Sequence, residues 1–144
     1  MNPTASMSEI FEDPIVNAAF KLAAETLKDL GSFQPFGVAQ HANGEIRYIY
    51  ACDSLEEVPE ATESMRMLQR IFCIQAESGE FVGVAFVADA TVEYNGEKTD
   101  AILIKIERLG SEPIDYHVTY KLDSEANLLR VGDSLVNPGG RCVF

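Results

Sequence analysis

Three consecutive segments in the second half of the chain place an apolar side chain at every second position. The segments are Phe81–Val92, Ala101–Arg108 and Ile114–Lys121. Successive side chains of a β-strand point to opposite faces, so this period of two predicts three strands with one buried and one polar face. They are joined by Asn95-Gly96 and by residues 110–113, and such short connections make neighbouring strands antiparallel. The pattern indicates a β-rich fold but specifies no chemistry.

Two segments with helical periodicity accompany these strands. Asp13-Pro14 predicts a helix start, an N-cap acid followed by proline at the first helical position, and Gly31 predicts its end. A second helix is expected from about residue 60 to 78. Between the helices, residues 38–51 predict a hairpin with a type I′ turn at Asn43-Gly44.

The predicted order of elements is helix, two strands, helix, three strands (α-β-β-α-β-β-β). This order predicts a two-layer α+β domain, with a mostly antiparallel five-stranded sheet and two helices on one face. It is typical of a profilin-like or PAS-like arrangement, and a cystatin-like or NTF2-like curved sheet is the alternative. Residues 1–12 are expected to form a flexible N-terminal tail, and residues 13–144 a single domain.

Charge is the strongest compositional bias. The 144 residues include 23 acids and 11 bases, which gives a formal net charge of −12. Such a field repels nucleic acids and anionic membrane surfaces, and suits a basic protein partner or solubility alone. No apolar stretch approaches the roughly 20 residues of a membrane helix, and residues 1–12 lack the features of a secretory signal. The expected location is therefore the cytoplasm.

Cysteine and histidine indicate neither a metal site nor a redox site. The sequence has an odd number of cysteines and no C-x-x-C spacing, which is typical of reduced thiols: Cys52, Cys73 and Cys142. His41 and His117 are 76 positions apart, which disfavours a multi-histidine metal site. Motifs for phosphate-binding loops, dinucleotide binding and hydrolase nucleophiles are absent from the sequence. The sequence therefore predicts no cofactor, no metal and no catalytic residue.

Three stretches carry a resemblance to known proteins. They are Gly31–Gly37 at the entry to the first strand, Thr99–Ile102 and Glu107 in the fourth, and Val118–Lys121 in the fifth. Over about residues 14–144 the chain resembles a group of small bacterial cytoplasmic proteins with no assigned function. The resemblance implies a common fold and a bacterial, cytoplasmic source, and it carries over no catalytic residue.

Two sets of polar residues are candidates for contact with a partner or a substrate. The first set forms an acidic stretch that could face a basic partner or simply stabilise the start of the second helix: Asp53, Glu56, Glu57, Glu60 and Glu63. The second set is expected on the sheet face that points away from the helices: Asp89, Lys105, Glu107 and His117, with Thr91, Glu93, Asp115, Thr119 and Lys121 beside them. An ordinary solvated sheet face is the alternative for this second set.

The second set contains two candidate pairings. Asp89 interrupts an apolar strand and is expected to be partly buried and paired with Lys105. A catalytic role would require His117 to act as a general base beside Glu107 or Asp115.

Aromatic residues are candidates for the lining of a small-molecule pocket between the sheet and the helices. They are Tyr48, Tyr50, Phe81, Phe86, Tyr116 and Tyr120. Gly83 and Ala85 would leave room for such a pocket, and a filled core is the alternative.

We therefore expect a non-enzymatic cytoplasmic binding or interaction domain whose acidic surface suits a basic protein partner, as in an immunity-type or inhibitor protein. A homodimer is equally compatible with the sequence. The alternative is a PAS-like domain that senses a small molecule. An enzyme that uses His117 with a carboxylate is the least favoured hypothesis.

Overall fold

Seven strands and two helices follow one another in the computed structural model, which describes residues 4–5, 12–50, 61–123, 125, 128–140 and 143. Their order and bounds are β1 (Thr4–Ala5), α1 (Pro14–Leu30), β2 (Phe36–His41), β3 (Ile46–Tyr50), α2 (Ala61–Glu77), β4 (Phe81–Tyr94), β5 (Glu97–Arg108), β6 (Ile114–Asp123) and β7 (Leu128–Pro138). The predicted α+β class is confirmed.

All seven strands belong to one antiparallel sheet in the order β1-β7-β6-β5-β4-β2-β3. The prediction of five strands is wrong, because β7 is a further long strand and the two residues of β1 pair with it. The sequence pattern does not predict β7 as a long strand. Its alternation is interrupted where the pairing of β7 with β6 shifts register, between Val118 and Tyr120. Gly132 and Asp133 lie at this irregularity and break the alternation of apolar side chains.

The two helices pack on opposite faces of the sheet, so the expectation of both on one face is wrong. Helix α1 packs against the face of β4 that carries Ala85 and Val87. Helix α2 packs against the other face, which carries Val84 and Phe86. The reason is the unbroken apolar run at the centre of β4, which is typical of a strand buried on both sides.

A glycine on each face allows its helix to approach the sheet. A Cβ atom added at Gly37 would lie 2.4 Å from Cζ of Phe72 on α2. A Cβ atom added at Gly83 would lie 2.8 Å from Cδ1 of Ile15 on α1. Each glycine therefore leaves the space that one buried side chain of the facing helix occupies.

The start and the end of α1 follow the sequence prediction. The side chain of Asp13 accepts a hydrogen bond of 2.9 Å from the backbone N–H of Ile15, and Pro14 is the first helical residue. Gly31 adopts a left-handed conformation with φ of 79°, and its N–H donates to the carbonyl oxygen of Leu27. The Asp13 carboxylate also pairs with the Arg108 guanidinium, which ties the start of α1 to the end of β5.

The two Asn-Gly turns differ in geometry. Asn95 and Gly96 have φ of 53° and 80°, as a type I′ turn requires. At Asn43-Gly44 only the glycine has a positive φ, and the N–H of His41 donates to the carbonyl oxygen of Glu45. The predicted type I′ turn there is wrong, because this hairpin has a three-residue loop.

Candidate functional site

The acidic stretch predicted to face a partner lies mostly outside the described residues, which is the case for Asp53, Glu56, Glu57 and Glu60. Glu63 lies in the first turn of α2 and is exposed. A carboxylate at this position stabilises a helix through its dipole. Its exposure also leaves it free to contact a partner.

The residues of the predicted polar cluster lie on both faces of the sheet, not on one. Lys105, Glu107 and His117 share the α2 face, whereas Asp89 lies on the α1 face opposite Ile102. The predicted pair of Asp89 with Lys105 is therefore wrong.

The two-residue turn at Asn95-Gly96 explains this division. It pairs Tyr94 with Glu97, so an odd-numbered residue of β4 shares its face with an even-numbered residue of β5. Asp89 instead accepts a hydrogen bond of 2.7 Å from the hydroxyl of Tyr120.

Lys105 forms an ion pair with Asp115, the residue directly opposite on β6. Its Nζ atom lies 3.1 Å from Oδ2 and 3.3 Å from Oδ1 of Asp115. Both side chains keep part of their solvent exposure, so the pair contributes at most about 1 kcal/mol.

Glu107 is buried, and its carboxylate anchors the end of the described chain. Each carboxylate oxygen lies 3.1 Å from the backbone nitrogen of Val143, which donates to them. Four residues earlier, the N–H of Gly139 donates to the carbonyl oxygen of Pro113. These contacts hold Gly139 beside Pro113 and Val143 beside Glu107.

His117 is half-buried on β6, and its Nδ1 atom has no hydrogen-bond partner among the described residues. Burial lowers the pKa of its imidazole; the Asp115 carboxylate opposes this shift and the Lys105 ammonium adds to it. Neither Glu107 nor Asp115 forms a hydrogen bond with His117, as far as the described residues show. No hydrogen bond between an acid and the His117 imidazole therefore supports the enzyme hypothesis among the described residues.

The six aromatic residues predicted to line a pocket are distributed over different parts of the fold. Phe81 and Phe86 stack edge-to-face on Phe72 beneath α2, with ring centroids 6.5 and 5.2 Å from that ring. Tyr116 and Tyr120 pack with the α1 core, and Tyr48 and Tyr50 are exposed. The space beside Gly83 is filled by Ile15, and Ala85 is fully buried.

Strand β3 forms one edge of the described sheet, and sequence reasoning did not identify it as a candidate surface. Tyr48 and Tyr50 are 45% and 59% exposed on this strand. The N–H of His41 donates to the carbonyl oxygen of Glu45, so the backbone groups of Glu45 point towards β2. Backbone groups of successive residues alternate in direction along an antiparallel strand, so those of every second β3 residue after Glu45 point away from β2. The outward residues are Ile46, Tyr48 and Tyr50. The opposite edge, at β7, is covered by β1.

A concave surface lies between the β4–β5 and β6–β7 hairpins, on the side of the turn at Asn95-Gly96. Pairing of β5 with β6 ends at Ala101 and Thr119, although β4 and β5 stay paired to Tyr94 and Glu97. The β4–β5 and β6–β7 hairpins therefore diverge and enclose a cleft of about 360 Å³. Residues that line the cleft include Tyr94, Thr99, Thr119, Lys121, Arg130 and Asp133.

Two absences hold for the described residues only. No group of three or more histidine, cysteine, aspartate or glutamate side chains there is placed to hold a metal ion. No helix in the same residues has both the length and the apolar character needed to cross a bilayer.

Comparison with known proteins adds no relative. No protein-family model matches the chain, and no curated protein or solved structure is significantly similar to it.

Proposed function

We propose that this chain is a non-enzymatic, cytoplasmic protein-interaction domain that binds an extended basic segment of a partner protein along β3, an edge strand of the described sheet. The observation that supports this proposal is the pair of exposed aromatic side chains, Tyr48 and Tyr50, on an edge strand. Unpaired backbone groups on an edge strand can accept a further strand, and adjacent side chains supply specificity.

The composition of β3 favours strand addition over a protected edge. Proteins usually protect an exposed edge with proline, with lysine, with a bulge or with a covering segment. The sequence Ile46–Tyr50 contains no proline and no lysine, and its one charged residue is Arg47. The Arg47 side chain lies 3.3 Å from the carboxylate of Glu45 in an exposed ion pair. Arg47 lies on one face of β3, and the side chains on its other face carry no charge: Ile46, Tyr48 and Tyr50.

Charge favours a basic occupant. The net charge of −12 attracts cationic segments and accelerates their association. The ten residues that link β3 to α2, 51–60, include Asp53, Glu56, Glu57 and Glu60 and contain no lysine or arginine. A partner strand that alternates apolar and basic side chains would match the tyrosines and this acidic stretch. An inhibitor-type or immunity-type role is the specific form of the proposal.

Synthetic peptides of defined sequence test this proposal. A peptide of about ten residues that alternates lysine with valine should bind, and its affinity should fall when salt is raised. The same peptide with alternate backbone nitrogens methylated should bind about tenfold more weakly or not at all, because it cannot form a ladder. Fluorescence anisotropy measures both affinities.

Two variants locate the binding surface. In Tyr48→Pro the lost N–H points outward, so pairing with β2 is retained and peptide binding is lost. Tyr50→Ser removes an exposed ring and should weaken binding with little effect on stability. Leu109→Ser is the control, because Leu109 is 66% exposed in the β5–β6 turn. Equal loss in all three variants, or self-association through β3 that excludes the peptide, would refute the proposal.

A further inference from the structure

We infer that the cleft between the β4–β5 and β6–β7 hairpins binds a small organic anion, one that carries a phosphate or carboxylate group, through Lys121 and Arg130. This site is separate from the β3 edge, and the inference does not depend on the proposed interaction with a basic partner. It assigns a ligand class to a surface to which the predicted polar set contributes Lys121 and Thr119, and to which the structure adds Arg130.

The divergence of the hairpins creates the space for a ligand. Beyond Ala101 and Thr119, β5 and β6 are no longer paired, so their facing edges line an open cleft. The volume of about 360 Å³ falls within the roughly 300–1,000 Å³ of small-molecule sites. Gly132 in one wall makes room for the Thr119 hydroxyl, because a Cβ atom there would lie 2.6 Å from its Oγ1.

The arrangement of positive charge in the cleft favours an anion. Lys121 and Arg130 lie directly opposite each other on β6 and β7, and both are exposed. Two like charges at directly opposed positions destabilise a sheet. Within the described part of the chain, neither side chain forms a hydrogen bond or an ion pair with a carboxylate. An anionic group placed between them would relieve their repulsion and bind both cations.

One carboxylate in the cleft, that of Asp133, makes a contact between the two hairpins. Asp133 accepts a hydrogen bond from the hydroxyl of Tyr94, a contact that spans the cleft between the two hairpins. The hydroxyl of Thr119 donates to the backbone carbonyl oxygen of Asp133 at 2.8 Å. Asp133 thus makes a structural contact, and among the described residues it forms no ion pair with Lys121 or Arg130.

The negative charge of the whole chain opposes an anion only weakly at this distance. Screening at physiological salt limits the range of exposed charges to about 8 Å. Two cations in contact with the ligand therefore outweigh acids on the other side of the sheet. Among the cleft residues the remaining acid is Glu97, at the tip of the β4–β5 hairpin.

Inorganic pyrophosphate and citrate are the probes, because they separate a preference for phosphate from one for carboxylate. We expect at least one of them to bind saturably in isothermal titration calorimetry and to raise the melting temperature. Lys121→Gln and Arg130→Gln should each weaken binding about tenfold. Lys98→Gln is the control: Lys98 is exposed on β5, in the other hairpin that borders the cleft, but on the opposite face of the sheet, and its removal changes net charge equally.

The result that supports the inference is loss of binding in both cleft variants and unchanged binding in Lys98→Gln. Equal weakening in all three variants would overturn it, because the anion would then respond to net charge alone. Failure of both probes to bind at millimolar concentration would overturn it as well. Amide chemical shifts that move at residues 119–121 and 130–133 would locate the bound anion, and shifts confined to other strands would contradict the site.

Discussion

The hydroxyl of Tyr120 on β6 donates a hydrogen bond of 2.7 Å to the carboxylate of Asp89 on β4, across the intervening strand β5. The Tyr120 side chain is buried with the α1 core, and Asp89 is exposed. The Asp89 carboxylate is therefore neither buried nor unpaired in this apolar strand, because both water and the Tyr120 hydroxyl solvate it.

Loss of this hydroxyl should cost a moderate amount of stability. Tyr120→Phe keeps the ring in the core and should lower the free energy of unfolding by about 1 kcal/mol, since water can still solvate Asp89. Urea denaturation followed by circular dichroism measures the change. Asp89→Asn and the double variant complete a mutant cycle, and a coupling free energy near zero would contradict the bond.

The same contact predicts a dependence on alkaline pH. Burial, followed by the hydrogen bond to Asp89, raises the pKa of Tyr120 above its ordinary value of 10.0. The unfolded chain then loses this proton at a lower pH than the folded chain, so Tyr120 contributes stability that is lost as pH rises above 10. Tyr120→Phe should lose less stability than the original protein between pH 9 and 11. Identical losses would show that Tyr120 does not contribute.

Gly37 should not tolerate a side chain. A Cβ atom there would lie 2.4 Å from Cζ of Phe72, so Gly37→Ala should destabilise the fold by about 1–3 kcal/mol through overpacking. Gly140→Ala is the matched control, because a Cβ atom at Gly140 meets no atom within 4 Å. The double variant Gly37→Ala with Phe72→Leu should recover part of the loss. Equal stability of the two single variants would contradict the packing of α2 on β2.

His117 should make the fold less stable in mild acid. Its lowered pKa means that the unfolded chain binds a proton below pH 6.5 more readily than the folded chain does. The free energy of unfolding should therefore fall as pH drops from 6.5 towards the lower pKa of the folded state. Thermal unfolding at pH 7.5 and 5.5 compares the original protein with His117→Gln, which should lose less stability in acid. A larger loss in the variant would contradict the burial of a neutral imidazole.

The alternation of apolar residues in β4, β5 and β6 was sufficient to predict these strands, and the Asp13-Pro14 signal was sufficient for the start of α1. The positions of the helices relative to the sheet were not predictable from alternation alone. The apolar run Val84–Ala88 indicated that β4 is buried on both faces, a signal that the expectation of a one-sided sheet did not use.

The candidate surfaces were less predictable than the fold. Which face Asp89 occupies depends on the register set by the turn at Asn95-Gly96, and a shift of one residue reverses every side chain. The juxtaposition of Lys121 and Arg130 depends on β7, whose alternation is interrupted at Gly132. The edge position of β3 depends on strand order, which local sequence patterns do not determine.

Hydrogen exchange at β3 tests the proposed interaction most directly. Within β3, the amides of Ile46 and Tyr48 point away from β2, whereas those of Arg47 and Ile49 are directed towards β2. On addition of the alternating lysine–valine peptide, exchange should slow at Ile46 and Tyr48 and change little at Arg47 and Ile49. Unchanged exchange at Ile46 and Tyr48 in the presence of a saturating bound peptide would show that the partner does not add to β3, and the proposed function would be wrong.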